Sequence, residues 1–427
     1  MSDSPLSVPA APVIDALPDR GAPEFRQRLS AGVSRISPPI QAGIVHFILV
    51  LATVAIAVWR SPGRDQLRPA FSSLSRYLVG PLSIWDGAWY ERIARSGYDE
   101  RQATAFWPLY PLLVRVVSDA TGFSLAVSGV VLSNLALLGA LVVLFRLVEQ
   151  GYGVQVARRS VWLLALFPFA FFFSAFYSES LFLLLSLATI LLARGGHWTS
   201  AALVLLLTTL TRSAGVLVAI PVVIALVEQR GWSIRRLWSP GLQIAAGLLG
   251  PLIFAVHLDR RWNDPLLMAH IQTEWGRAFS WPWDTLWRGF RRTELIYVTG
   301  RQTCFDSLQS RQWPPCRDAL GLNIDALSDD LAMAFTLIAI ALFIVAARKL
   351  LLGDALYALA VIVFPLFSTT IDSPLLSMPR FLLTAYPLFI ALALLLRQRW
   401  LYLATLGASA VMLCWLASIF ARAWFVA

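Results

Sequence analysis

The sequence predicts an all-α polytopic membrane protein, and three observations predict it. Of its 427 residues, 58% are hydrophobic and only 14% are charged, whereas a soluble domain carries about a quarter charged residues. Apolar runs of membrane-spanning length recur from residue 42 to residue 420,. Arginines gather in alternate connections between those runs, as the positive-inside rule requires.

Taken in order, residues 1–40 are rich in Pro, Ser and Ala and carry Arg20, Arg26, Arg28 and Arg35. They are expected to form a disordered cytoplasmic tail, too long and too weakly apolar for a signal peptide. A single transmembrane domain then occupies 41–427. Its spans are expected near 42–59, 123–148, 158–175, 178–194, 198–212, 213–228, 240–257, 330–347, 352–371, 379–396 and 400–420, about eleven in all. With the N-terminus inside, the inner loops receive Arg158 and Arg159, Arg194, Arg230 with Arg235 and Arg236, Arg348 with Lys349, and Arg397 with Arg399,. Two outer loops are long, about 60–122 and 258–329. The second places Trp262, Trp275, Trp281, Trp283, Trp287 and Trp313 among arginines, a mixture suited to amphipathic helices in the head-group layer.

The formal net charge of +10 is assigned to topology and to anionic membrane lipids, not to nucleic acid. Cys304, Cys316 and Cys414 are too few for a disulfide framework or a zinc cluster, though the first two share one outer loop where a bridge is feasible. The four histidines lack ligand spacing. No GxxxxGK[ST] or GxGxxG motif occurs in a strand–helix context, so nucleotide-driven transport has no visible engine.

The chemistry concentrates in Trp85-Asp86-Gly87-Ala88-Trp89-Tyr90. Wound as a helix at about 100° per residue, Asp86 falls inside an aromatic face, between Ile93 and Tyr90. Glu91, Arg92 and Arg95 look the other way. A carboxylate so placed needs a partner or a task. Glu179, Arg212 and Arg380 stand at the ends of expected spans, on the same side as Asp86. Each alone is equally well a snorkelling or paired structural charge, and Trp85, Trp89 and Tyr90 alone equally well an aromatic belt. Their common depth points to a shared polar cavity. There arginines clamp an anionic leaving group such as a phosphodiester, a carboxylate takes the proton of a sugar hydroxyl, and aromatics stack on sugar faces.

At these residues the chain resembles the PIG-V family, the GPI mannosyltransferase 2 type, within the GT-C glycosyltransferases. The Trp85–Tyr90 stretch is followed by Ile93-Ala94 and Gly97-Tyr98, then by Ala105-Phe106-Trp107-Pro108-Leu109-Tyr110-Pro111. Tyr177-Ser178-Glu179-Ser180-Leu181-Phe182, Thr211-Arg212-Ser213-Ala214-Gly215, Trp262-Asn263-Asp264-Pro265 with Gln272 and Trp275, and Pro379-Arg380-Phe381 come after it in order. Ala214 departs from the asparagine of the family's Arg-Ser-Asn-Gly form. The resemblance implies a GT-C fold and a dolichyl- or polyprenyl-phosphate-mannose donor, with Asp86 in the catalytic-acid position of the first outer loop; the cavity chemistry above makes Asp86 the expected general base of an inverting transfer. Substrate contacts are expected from Trp85, Trp89, Tyr90, Tyr110, Glu179, Arg212, Gln272 and Arg380. No cofactor is expected, and a divalent-metal requirement is left open. The lysine-poor chain looks bacterial. A bacterial inner or plasma membrane, an extracytoplasmic site, and a glycolipid, glycan or exported protein as acceptor are therefore expected. Two other readings stay open. One is a lipid or glycolipid transporter or flippase, which calls for paired repeats or broken helices. The other is a noncatalytic subunit holding a partner enzyme.

Overall fold

A computed structural model describes residues 22–60, 73–293, 324–370 and 372–424. The chain divides into two units, residues 1–38 and 39–427. Residues 1–21 of the expected tail lie outside the described residues. Residues 22–38 are helical.

The chain is a succession of helices: α1 (Ala22–Trp59), α2 (Ser73–Leu78), α3 (Asp86–Ser96), α4 (Leu109–Thr121), α5 (Leu125–Tyr152) and α6 (Val154–Ala165). Next come α7 (Glu179–Arg194), α8 (Trp198–Thr209), α9 (Ala219–Arg230), α10 (Ile234–Gly247), α11 (Gly250–Trp262) and α12 (Leu267–Glu274). Helix α13 covers 282–293. The last five are α14 (Ile324–Ala346), α15 (Leu352–Val363), α16 (Met378–Thr384), α17 (Tyr386–Leu395) and α18 (Arg399–Ala421). Helix α5 packs on α4, α6 and α7, and α8 joins α7 to α10.

Among the described residues, six helical segments are long and apolar enough to cross a membrane: Ser37–Trp59, Leu125–Tyr152, Ser213–Arg230, Ile234–Trp262, Leu327–Lys349 and Arg399–Ala421. The pair α16–α17, bent by 78°, makes a seventh if it is one span. The runs at 158–175, 178–194, 198–212 and 352–371 give the shorter helices α6, α7, α8 and α15. Apolar composition persists through each run, but the helix does not. Helix α6 ends at Ala165 ahead of Pro168 and a 3-10 turn (Ala170–Phe173); α8 gives way to the 3-10 turn Ser213–Val218, and α15 to Phe364–Phe367. These breaks fall at one end of the bundle, where α7 begins with Glu179.

Non-helical backbone inside a membrane protein must find partners within the protein. Here the Phe176 N–H donates to Leu82 O (2.8 Å), Ser133 Oγ to Tyr177 O (3.1 Å) and Ser180 Oγ to Phe173 O (2.6 Å). Phe169, Phe171, Phe172, Phe173, Phe176 and Tyr177 are all fully buried, so this aromatic stretch is packed core. Gly129 on α5 permits it: a Cβ there would collide with the Phe176 ring. A two-stranded antiparallel ribbon, β1 (Arg277–Phe279) with β2 (Ser368–Thr370), pairs Arg277 with Thr370 and Phe279 with Ser368. It ties the second long loop to the segment leading into α16.

Candidate active site

Asp86 is placed by a strained turn. The preceding residue, Trp85, has φ of 57°, a conformation disfavoured for a bulky side chain. The Asp86 N–H donates to the Tyr177 hydroxyl (3.3 Å), which donates to Ile84 O (3.2 Å). The start of α3 is thereby pinned to the segment just before α7. Helix α3 buries Gly87, Tyr90, Ile93 and Ala94, so Asp86 lies at the edge of that face, half-buried.

Glu179 opens α7, where a helix N-terminus favours a negative charge. Its Oε1 accepts from Arg380 Nε (3.0 Å) and Nη2 (2.7 Å) and pairs with Arg212 Nη1 (2.8 Å). Arg380 Nη2 also reaches Asp86 Oδ2 at 2.7 Å. The structure thus joins all four charges that the sequence placed at a common depth. Aromatic faces flank the cations: Arg380 lies 4.9 Å from the Phe172 ring and 4.8 Å from that of Tyr177, and Arg212 lies 5.8 Å from Phe381. Ser178 links the cluster to α3, meeting Tyr90 OH at 2.8 Å and Arg212 Nη1 at 3.3 Å. Glu179 Oε2 is buried with no hydrogen-bond partner. Removing either arginine would leave buried charge uncompensated, typically at a cost of about 3–5 kcal/mol.

A third cation, missed by sequence reasoning, lies within electrostatic reach of the cluster. Arg277 is the first residue of β1 and half-buried. Among the described residues its guanidinium has no ion-pair or hydrogen-bond partner. Burial and the neighbouring Arg380 push it below the usual arginine range; Asp86 pulls it back, and Arg212 pushes it down again. Its one sequence signal was position, two residues after Trp275.

Trp89 is half-buried and stacks on Phe106 (6.0 Å between centroids, 15° between planes) and against the edge of Trp275 (5.5 Å). Tyr90 also meets Phe106, at 5.2 Å. Trp85 is 43% exposed and Trp275 38% exposed, so both stand at the rim. Tyr110 is different. It is fully buried, and its hydroxyl pairs with Ser133 Oγ (2.7 Å) and donates to Gly129 O (3.0 Å). With its ring against Tyr90 at 5.1 Å, it supports the wall from behind. Gln272 lies one turn before Trp275 and donates to Met268 O in its own helix (3.3 Å); it is not joined to the charge cluster. Asp264 meets His270 Nδ1 (2.9 Å) and the Leu266 N–H (3.1 Å), which closes the turn ahead of α12. Cys304, Cys316 and Trp313 lie outside the described residues.

Residues 61–233 match the family described as Mannosyltransferase (PIG-V). That stretch contains the Trp85–Tyr90, Phe106–Pro111, Tyr177–Phe182 and Arg212–Gly215 motifs; Arg277 and Arg380 follow it. The chain is 32% identical to GPI mannosyltransferase 2 of Drosophila pseudoobscura over 140 residues, 30% of this chain and 31% of the relative. It is 29% identical to GPI mannosyltransferase 2 of Chaetomium globosum over 236 residues, 44% of this chain and 50% of the relative. The chain therefore spans from about a third to half of the length of these curated relatives. The resemblance read from the motifs is to this same family. Both relatives are eukaryotic and lend no support to a bacterial origin.

Proposed function

We propose that this membrane protein is a mannosyltransferase that moves mannose from a polyprenyl-phosphate donor to an acceptor hydroxyl with inversion. The observation that carries this reading is the charge balance of the cluster. Arg212 and Arg380 pair with Glu179 and Asp86, and Arg277 lies within electrostatic reach of Asp86, Arg380 and Arg212, so one positive charge is left over. A phosphodiester leaving group supplies the missing anion.

The acceptor oxygen attacks the anomeric carbon from the face opposite the phosphate. The bond from that carbon to the phosphate oxygen breaks, and polyprenyl phosphate leaves with the electron pair. The hydroxyl proton passes to Asp86. Arg380 holds Asp86 Oδ2, which leaves Oδ1 as the receiving oxygen. A β-linked donor gives an α-linked product. Trp85 and Trp275 at the rim, with Trp89 behind, offer aromatic faces to the sugar. As written the transfer draws on no metal; assay after chelation tests that point directly.

The arginine pattern of the connections supports a cytoplasmic N-terminus and an extracytoplasmic site; placing it in a bacterial inner or plasma membrane rests on the lysine-poor composition alone. The acceptor is then a glycolipid, glycan or exported protein. One observation favours the transporter reading, namely the 78° break that carries Arg380. It stands alone among the described residues, whereas that reading calls for paired repeats.

The test is transfer of radiolabelled mannose from polyprenyl-phosphate mannose to a membrane lipid extract by purified protein, beside Asp86→Asn. Label should reach a new product with wild type only. Near-normal transfer by Asp86→Asn would remove Asp86 as the base. Donor crossing proteoliposomes without transfer would establish the transporter.

A further inference from the structure

A second polar site lies at the other end of the bundle from the acid–arginine cluster. Helix α7 runs from Glu179 to Arg194, a distance of roughly 24 Å at 1.5 Å per residue. Just beyond its far end is a cavity of about 880 Å³ between the α7–α8 turn, the α9–α10 connection and the first turns of α10. Its wall includes His197, Trp198, Arg230, Arg235, Arg236 and Gln243.

Three features point to an anion site, and a fourth fixes its wall. Arg230, Arg235 and Arg236 have no ion-pair or hydrogen-bond partner among the described residues. Trp198 is only 6% exposed, yet its Nε1 has no hydrogen-bond partner, and the buried Gln243 Oε1 is also unpartnered. Such groups are normally satisfied, so each implies a ligand or water in the cavity. Both α8 and α10 begin here, and neither N-terminus has a side-chain cap; free N–H groups at helix starts favour anions. Finally, the wall is held in place: Gln229 Nε2 donates to Ala193 O (3.0 Å) and Arg194 O (3.2 Å), which fixes the end of α9 to the end of α7.

The surroundings select the source of the anion. Trp232 is 89% exposed, Ile234 81% and Trp238 65%, all on the segment that supplies the arginines. Tryptophan and isoleucine beside unpaired arginines are the composition of a head-group layer. We propose that this cavity binds the head group of an anionic phospholipid, with the arginines on its phosphate, the Trp198 N–H as an additional donor, and Trp232 and Trp238 against its glycerol and acyl chains. The site is separate from the transfer chemistry and does not depend on it.

Native mass spectrometry of the detergent-purified full chain, titrated with phosphatidylglycerol or phosphatidylcholine, tests this. Wild type should retain one phosphatidylglycerol at concentrations about tenfold below those needed for phosphatidylcholine. Arg230→Ala/Arg235→Ala/Arg236→Ala should abolish that preference. Trp198→Phe keeps the ring, deletes only the donor and should weaken retention about threefold; it serves as the test if the triple variant fails to fold by circular dichroism. Equal retention of both lipids by wild type would overturn the proposal, as would unchanged preference in the triple variant. Displacement of the lipid by millimolar inorganic phosphate would show a site for free phosphate and overturn the assignment to lipid.

Discussion

Two buried ion networks stand at opposite ends of helix α7, and they are built to different standards. Around Asp354 everything is matched. Arg194 Nη2 donates to its Oδ1 at 2.5 Å, Tyr386 OH donates to the same oxygen, and Tyr152 OH donates to Oδ2 at 2.7 Å. Tyr152 in turn accepts the Leu351 N–H at 2.8 Å. One acid, one arginine and two hydroxyls join α5, α7, α15 and α17 with no side chain left wanting. Around Glu179 the matching is incomplete. One carboxylate oxygen takes every bond while the other has none, Asp86 is half-open, and Arg277 is a cation over. A completed buried network holds helices together, whereas an incomplete one keeps capacity for a ligand.

Substitutions can break this contrast or sharpen it. The largest effect expected is on turnover by Asp86→Asn. Loss of a general base lowers the rate by about 10²–10⁴, while the unfolding temperature should fall far less than in Asp354→Ala, because Arg380 keeps Glu179 as its partner. Asp354→Ala should do the reverse: an unpaired buried Arg194 destabilises by about 3–5 kcal/mol, seen as a lowered unfolding temperature, with normal specific activity in the protein that stays folded. Equal loss of activity in both variants would erase the distinction. Arg277→Ala tests the surplus charge. It should raise the KM for donor tenfold or more, from the roughly 1.5–3 kcal/mol of a charged hydrogen bond. Unfolding temperature should hold or rise, because a cation without a partner has been removed. The smallest effect is expected for Tyr110→Phe, about 1 kcal/mol of stability from its buried hydroxyl, with transfer kinetics within about twofold of wild type.

The all-α membrane class was legible because apolar runs and flanking arginines are properties of the chain itself. The cluster of Asp86, Glu179, Arg212 and Arg380 was legible because four charges shared one depth at the ends of apolar runs. Hydropathy alone overstated helix length at 158–175, where Pro168 and a 3-10 turn end the helix although the side chains remain apolar. The burial of Tyr110 behind the wall was not legible, because a sequence does not show which side of a wall a tyrosine faces. Arg277 resembled every other loop arginine. Its position is set by pairing with Thr370, and three-residue strands carry no periodicity to read.

That ribbon has a consequence for how the donor is captured. Three paired residues are few for a ribbon, so β1 and β2 are expected to act as a short zip that opens locally. Unzipped, it withdraws Arg277 and leaves the cluster with two cations and two acids, electrically even. Zipped, it restores the odd positive charge. Because linkage is reciprocal, an anion that prefers the zipped form must also close the zip. Amide-exchange protection at 277–279 and 368–370 should then rise together when donor binds, although these segments lie on opposite sides of α14 and α15 in the chain.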